Sequence, residues 1–286
     1  MTEASELRAR YQHVLARIAA AAKKAGTDAD RVILVAVSKY AAQDQIRALM
    51  EMGHRDFGES RVQQLTQRAG VVEEYLNRIR VLPNVRAGRR AGQLLGAGGR
   101  AATGAPPSAS PAQGSPEEPA PVRRHMIGTL QRNKARKAVE LCRLIHTVDS
   151  LRLAEELQSI GMKRDLDIEC LLQVNCSEEP QKAGCPIPAA RHLAEQIDQM
   201  GHLHLRGLMT MAAADGGESD TRKTFERCRE LFVDIGREGV GDGRFNILSM
   251  GMTGDFEIAI EEGANIVRIG SAIFGERDTS ETDESD

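Results

Sequence analysis

Very little net charge remains on this 286-residue chain: 38 lysines and arginines against 41 aspartates and glutamates leave −3. A basic face for nucleic acid or an acidic membrane is therefore not expected, since the basic runs are mostly balanced by carboxylates on the same segments. No stretch approaches the length of a membrane span. The opening residues, MTEASELRAR, are polar and amphipathic and lack the apolar core of a secretory signal. A cytoplasmic protein is the expectation. The five cysteines (Cys142, Cys170, Cys176, Cys185 and Cys228) include no C-x-x-C pair. Their odd count argues against a closed disulfide framework, so free thiols, several of them buried, are the simplest reading. Among seven histidines, His202 and His204 on HLHLRG could face one side of a strand. With no third ligand nearby, an edge or core role is preferred to a metal site.

What is present is an ordinary globular composition, 41% hydrophobic and 28% charged. An amphipathic helix over about 4–25 is followed by eight strand-like runs: VILVAV (32–37), HRDF (54–57), RHMI (124–127), LIHT (144–147), IECLLQV (168–174), LHLRGL (203–208), FNIL (245–248) and NIVR (265–268). Helical patterns over 43–52, 61–79, 150–160, 188–199 and 219–238 separate most of them. This alternation predicts parallel strands joined by right-handed crossovers, and eight strands close a (β/α)8 TIM-type barrel. An open doubly wound sheet is the competing α/β architecture. One domain is expected over 1–275, with an acidic flexible tail at 276–286. Residues 83–121 hold seven of the ten prolines and seven glycines. They read as a disordered insertion, because such a run buries too little apolar surface to offset its ordering entropy. GAGGRA (96–101) fits a dinucleotide fingerprint only in letters, having neither a strand before it nor a helix after it.

In a barrel, chemistry collects at the C-terminal ends of the strands, and three ends are suggestive. VILVAVSKY ends in Ser38 and Lys39. That lysine is either a solvated surface residue or a partly desolvated amine able to form a Schiff base with an aldehyde. FNILSMGMTGDFEIAI passes from a strand through Ser249-Met250-Gly251-Met252-Thr253-Gly254 to a helix. The turn could hold a phosphate, or it is a plain connection capped by Thr253 or Asp255. NIVRIGSAIFG carries Arg268, Gly270 and Ser271. The last two βα loops of such a barrel are its habitual phosphate site, which favours the phosphate reading of both turns.

These segments resemble the pyridoxal phosphate homeostasis family. The likeness runs through SKY, RDFGES (55–60), HMIGTLQRNKARK (125–137), HTVDSLRLAEEL (146–157) and LLQVNCSEEPQKAG (171–184). It continues in RGLMTM (206–211), LSMGMTGDFEIAI (248–260) and VRIGSAIFG (267–275). It covers nearly all of the chain except the insertion and the tail. The resemblance implies the pyridoxal 5′-phosphate (PLP) barrel of alanine racemase without that enzyme's second domain. It implies that Lys39 carries the cofactor as a Schiff base and that Arg268 faces the pyridine nitrogen. Ser249, Gly251, Met252 and Thr253 then form one phosphate turn, and Gly270 with Ser271 the other. Asn175, Glu179, Lys182 and Gly184 match a further characteristic loop. The chain departs from the family at Ser60, where Asn is usual and a cofactor contact is implied, at Tyr40 after the lysine, and at Arg124 and Thr129.

The function implied is a non-catalytic PLP-binding protein that buffers the cofactor or delivers it to apo PLP-dependent enzymes. The alternative is a PLP-dependent amino-acid racemase of weak activity. A racemase needs a second base on the opposite face, a tyrosine of the domain expected to be missing. The only tyrosines here are Tyr11, Tyr40 and Tyr75.

Overall fold

The computed structural model describes residues 2–76, 121–213 and 216–275. Except for Pro121, the expected insertion lies outside the described residues, as do the tail and GAGGRA. Helix α1 (Glu3–Lys24) buries the stripe Leu7, Tyr11, Val14, Ile18 and Ala21, spaced at three and four residues. Glutamates in its first turn and lysines in its last turn complement its dipole. Then follow β1 (Ile33–Val37), α2 (Gln43–Glu51), β2 (Asp56–Glu59), α3 (62–76), β3 (Arg123–Met126), α4 (Arg132–Leu141), β4 (Leu144–Val148) and α5 (Leu151–Arg164). The second half contains β5 (Ile168–Asn175), a two-residue β6 (Cys185–Pro186), α6 (Ile187–Asp198), β7 (Leu203–Met209), α7 (Glu218–Arg237), β8 (Ile247–Ser249), α8 (Phe256–Glu261), β9 (Ile266–Ile269) and α9 (Ser271–Phe274).

The strands run in the order β4-β3-β2-β1-β9-β8-β7-β5, and β4 also pairs with β5. Every pairing is parallel. The sheet therefore closes on itself with eight strands, and the expected (β/α)8 barrel is what forms. The short β6 pairs only with the end of β5, outside the ring. Closure separates two apolar layers. Leu34 and Ala36 of β1 pack outward in the large cluster shared with the helices. Val35 joins Leu144, Leu171, Met209 and Ile266 in a second cluster, the filling of the barrel interior. Two residues beyond Leu144 and Ile266 stand His146 and Arg268, both buried, so the interior turns polar towards its C-terminal end.

Gly207 shows how tightly β7 and β8 meet. Its φ is 151°, and a Cβ there would fall 1.7 Å from the Ile247 carbonyl oxygen. Helix α4 was not among the periodic segments. It buries only Ala135 and Ala138, too thin a stripe to stand out in RNKARKAVEL. All five cysteines are free thiols, four of them buried. His204 Nε2 lies 3.1 Å from Asp167, and His202 Nδ1 3.8 Å from the same carboxylate. No described helix is long and apolar enough to cross a membrane.

Candidate functional site

At the C-terminal ends of β1, β7, β8 and β9 the barrel opens into a cleft of about 470 Å³. Val37, Met252, Thr253, Arg268, Gly270 and Ser271 line it. The two glycine-containing turns expected to hold a phosphate therefore do lie side by side. Ser271 Oγ is 3.3 Å from Thr253 Oγ1, so one hydroxyl from each turn faces the other. The Arg268 backbone amide donates to the Gly251 carbonyl at 3.0 Å, tying the first turn to β9. Gly251 has φ 94°, and a Cβ would sit 2.6 Å from that of Ala259 and 2.9 Å from the Phe256 Cα. Only glycine fits there.

Asp255 occupies the N-cap position of α8, but its carboxylate turns back and accepts the Met252 amide at 2.5 Å. Burial raises its pKa, against the Met252 hydrogen bond and the Arg268 charge.

The Arg268 guanidinium is the buried cation of the floor, 3% exposed. Burial lowers its pKa to about 10, which leaves it protonated at neutral pH. Nη2 donates to the Thr210 carbonyl at 3.0 Å and Nη1 to Ser249 Oγ at 2.8 Å. Ser249 is fully buried, with its hydroxyl inside the barrel rather than among the residues lining the cleft.

Lys39 follows Val37 by two residues, at the rim. Its backbone is pinned from behind. The Ser38 hydroxyl donates to Glu59, Gln64 Nε2 donates to the Lys39 carbonyl at 3.3 Å, and Arg68 Nη2 donates to the Ala41 carbonyl at 2.5 Å. The half-buried side chain places Nζ 4.6 Å from the Tyr40 ring centroid, so the ammonium rests on a π face at the rim. Neither Lys39 nor Ser60 is among the residues that line the cleft. Ser60 lines a neighbouring hollow of about 350 Å³ with Thr129, Gln131 and Lys134, beyond the ends of β2 and β3. The loop after β5 braces itself. Asn175 Nδ2 donates to the Glu179 carbonyl at 2.8 Å, and Lys182 Nζ forms an ion pair with the Glu179 carboxylate at 2.6 Å and donates to the Ala212 carbonyl at 2.5 Å.

Residues 8–278 match the family described as alanine racemase, N-terminal domain. A protein of Pseudomonas aeruginosa named pyridoxal phosphate homeostasis protein is 33% identical over 265 residues, 93% of each chain. The chain belongs to the pyridoxal phosphate homeostasis protein family. Among solved structures, PipY of Synechococcus elongatus with PLP bound is 28% identical, with a TM-score of 0.65 over 86% of this chain and 93% of that one. Alanine racemase of Clostridium difficile shares the fold, with a TM-score of 0.63 at 12% identity, matching 97% of this chain and 58% of the racemase. Within the homeostasis-protein family, the usual Asn and His positions held here by Ser60 and Thr129 both fall in the second hollow. Those departures sit together, away from the paired turns.

The sequence reading missed a row of polar side chains behind Arg268. His146 Nδ1 is 3.0 Å from Ser249 Oγ, and His146 Nε2 is 2.9 Å from His125 Nδ1. His125 Nε2 is 3.1 Å from Asp56 Oδ1, and Arg123 clasps both oxygens of that carboxylate at 2.7 and 2.5 Å. Burial, and then the nearby Arg268 charge, push the His146 pKa well below 6.5. Burial alone would raise the Asp56 pKa, but its bonds from Arg123 and His125 bring it down to about 2. Both histidines were in view as letters of HMIGTLQ and HTVDS. The available signal was their place on apolar strands at inward positions.

Proposed function

We propose that this protein binds PLP through Lys39 and acts as a carrier, buffering the cofactor or handing it to apo PLP-dependent enzymes rather than turning over a substrate. The observation that carries this reading is the meeting of the two turns. Thr253 and Ser271 face each other at a cleft floored by a buried arginine, and Lys39 follows the end of the adjoining β1 by two residues. That donor set fits a phosphorylated aldehyde with a ring nitrogen. The paired hydroxyls and the backbone of Met252 and Gly270 suit a phosphate, and Arg268 suits an acceptor nitrogen. The family name and the PLP bound to PipY support the same ligand.

When bound, PLP would supply an aldehyde open to an amine of the protein. In this chain Lys39 would be the amine, and the bonds from Ser38, Gln64 and Arg68 anchor the backbone around it. Arg268 donates a hydrogen bond without giving up its proton, so a ring facing it is a weaker electron sink than one paired with a carboxylate. That tuning favours holding and exchange over carbanion chemistry. Of the three tyrosines, Tyr11 bonds His54 at the other end of the barrel and Tyr75 lies on α3. Tyr40 neighbours Lys39 itself, an unsuitable place for a base on the opposite face. Purified protein mixed with PLP should develop the visible band of a pyridoxal Schiff base, and Lys39→Ala should abolish it. Holoprotein given L-alanine should yield no D-alanine above the Lys39→Ala background. Turnover above it would make the racemase reading the correct one.

A further inference from the structure

Arg268, Ser249, His146, His125 and Asp56 form one unbroken hydrogen-bonded row through the barrel, from the cleft to the opposite end. The row can be given a direction from its ends. Arg268 has only hydrogens to offer, so Ser249 Oγ must accept from it. Asp56, ionised and clasped by Arg123, only accepts, so His125 must carry a proton on Nε2. Arg123 already answers the charge of Asp56, and the interior holds a second cation in Arg268. A second cation at His125 would share a carboxylate that Arg123 already clasps through both oxygens, and one at His146 would face Arg268 with no carboxylate in contact. With neutral rings, His125 Nδ1 accepts and His146 donates from Nε2. His146 Nδ1 is then bare, and the Ser249 hydroxyl hydrogen points at it.

We propose that Asp56 sets the direction of this row. His125, His146 and Ser249 are then positioning residues that offer Arg268 an acceptor, and the single hydrogen of Ser249 is withheld from any phosphate in the cleft. The phosphate contacts fall to Thr253, Ser271 and the backbone of the two turns. A serine assigned by family resemblance to the phosphate instead holds the arginine. Only the phosphate consequence rests on PLP as the ligand of the cleft.

The direction is read by two-bond 15N–1H correlation spectra of the full chain labelled in histidine, with and without PLP, with single histidine variants for assignment. The expected result is a neutral ring protonated on Nε2 for both His125 and His146 in either form. In Asp56→Asn, the terminal group can accept or donate, so the His146 nitrogens should shift although Asp56 does not touch that ring. A proton on His146 Nδ1, or His146 resonances unmoved by Asp56→Asn, would overturn the direction. The phosphate consequence is read from the ratio of pyridoxal to PLP dissociation constants. Thr253→Ala should cut that ratio on the order of tenfold or more, the loss of a hydrogen bond to a charged group. Ser249→Ala should weaken both ligands alike and leave the ratio within about twofold, less than one neutral hydrogen bond. Equal loss of the ratio in the two variants would return Ser249 to the phosphate. If PLP bound elsewhere, neither variant would change the ratio, while the tautomers would still report on the row.

Discussion

Gly251→Ala is the sharpest perturbation of the first turn. At φ 94° an L-residue costs about 1–2 kcal/mol relative to glycine. The new methyl would also lie 2.6 Å from the Ala259 Cβ and 2.9 Å from the Phe256 Cα. Both neighbours belong to α8, and Phe256 is fully buried, so the strain cannot be relieved by rotating a long side chain. Overpacking of that kind costs about 1–3 kcal/mol. Together the two terms predict a loss of about 2–5 kcal/mol, a large share of the ~5–15 kcal/mol that holds a domain together. Urea unfolding should show it as a lower midpoint at unchanged slope. Gly254, three residues on in the same turn, is the control. It has no atom within 4 Å of an added Cβ and no positive φ. Gly254→Ala should change stability by less than about 0.5 kcal/mol. Equal effects from the two substitutions would refute the close-packed geometry of the turn.

Other consequences can be measured alongside it. Asp56 gains stability from a folded pKa of about 2 against an ordinary 3.8, so its contribution is complete above pH ~4 and is lost as pH falls towards 2. The loss is on the order of 2 kcal/mol, and Asp56→Asn should flatten that part of the stability profile. His146 and His54 are both held neutral by burial, with pKa values lowered from 6.5. Unfolded chains therefore bind more protons below that pH, and stability should decline from neutrality to pH 5, less steeply in His146→Phe if that variant folds. Val72 of α3 and Val122 before β3 line the same small cavity. Joining Leu82 to Val122 by a few glycines and serines should leave PLP affinity unchanged and stability within about 1 kcal/mol. Insoluble apoprotein would show that the segment belongs to the core.

The strands were legible because a parallel strand buried on both faces reads as an unbroken apolar run, as VILVAV and IECLLQV do. Boundaries slipped where strands carry polar residues inward. β2 begins at Asp56 rather than His54, and β8 is centred on Leu248 with Ser249 at its end. Lys39, Arg268 and the two turns were readable as strand-end residues, since a barrel gathers such ends on one face. Ser60 was readable as a residue of that face but not as part of a second hollow, which depends on how β2 and β3 end. The row from Ser249 to Asp56 was not readable as a connected row. Its members come from β2, β3, β4 and β8, and nothing short of ring closure brings β8 across from β4. A histidine inside an apolar strand reads equally well as core.

Lys39 is proposed as the residue that holds the cofactor, although its ammonium rests on the Tyr40 ring at the rim. Borohydride reduction of the PLP-loaded protein, followed by peptide mapping, tests this directly by fixing the cofactor to the amine that bears it. A pyridoxyl group found on Lys39, with none recovered from the Lys39→Ala protein, is the predicted result. Finding it mainly on Lys134 in the second hollow, or on Lys182 beside Ala212, would rule Lys39 out as the attachment site.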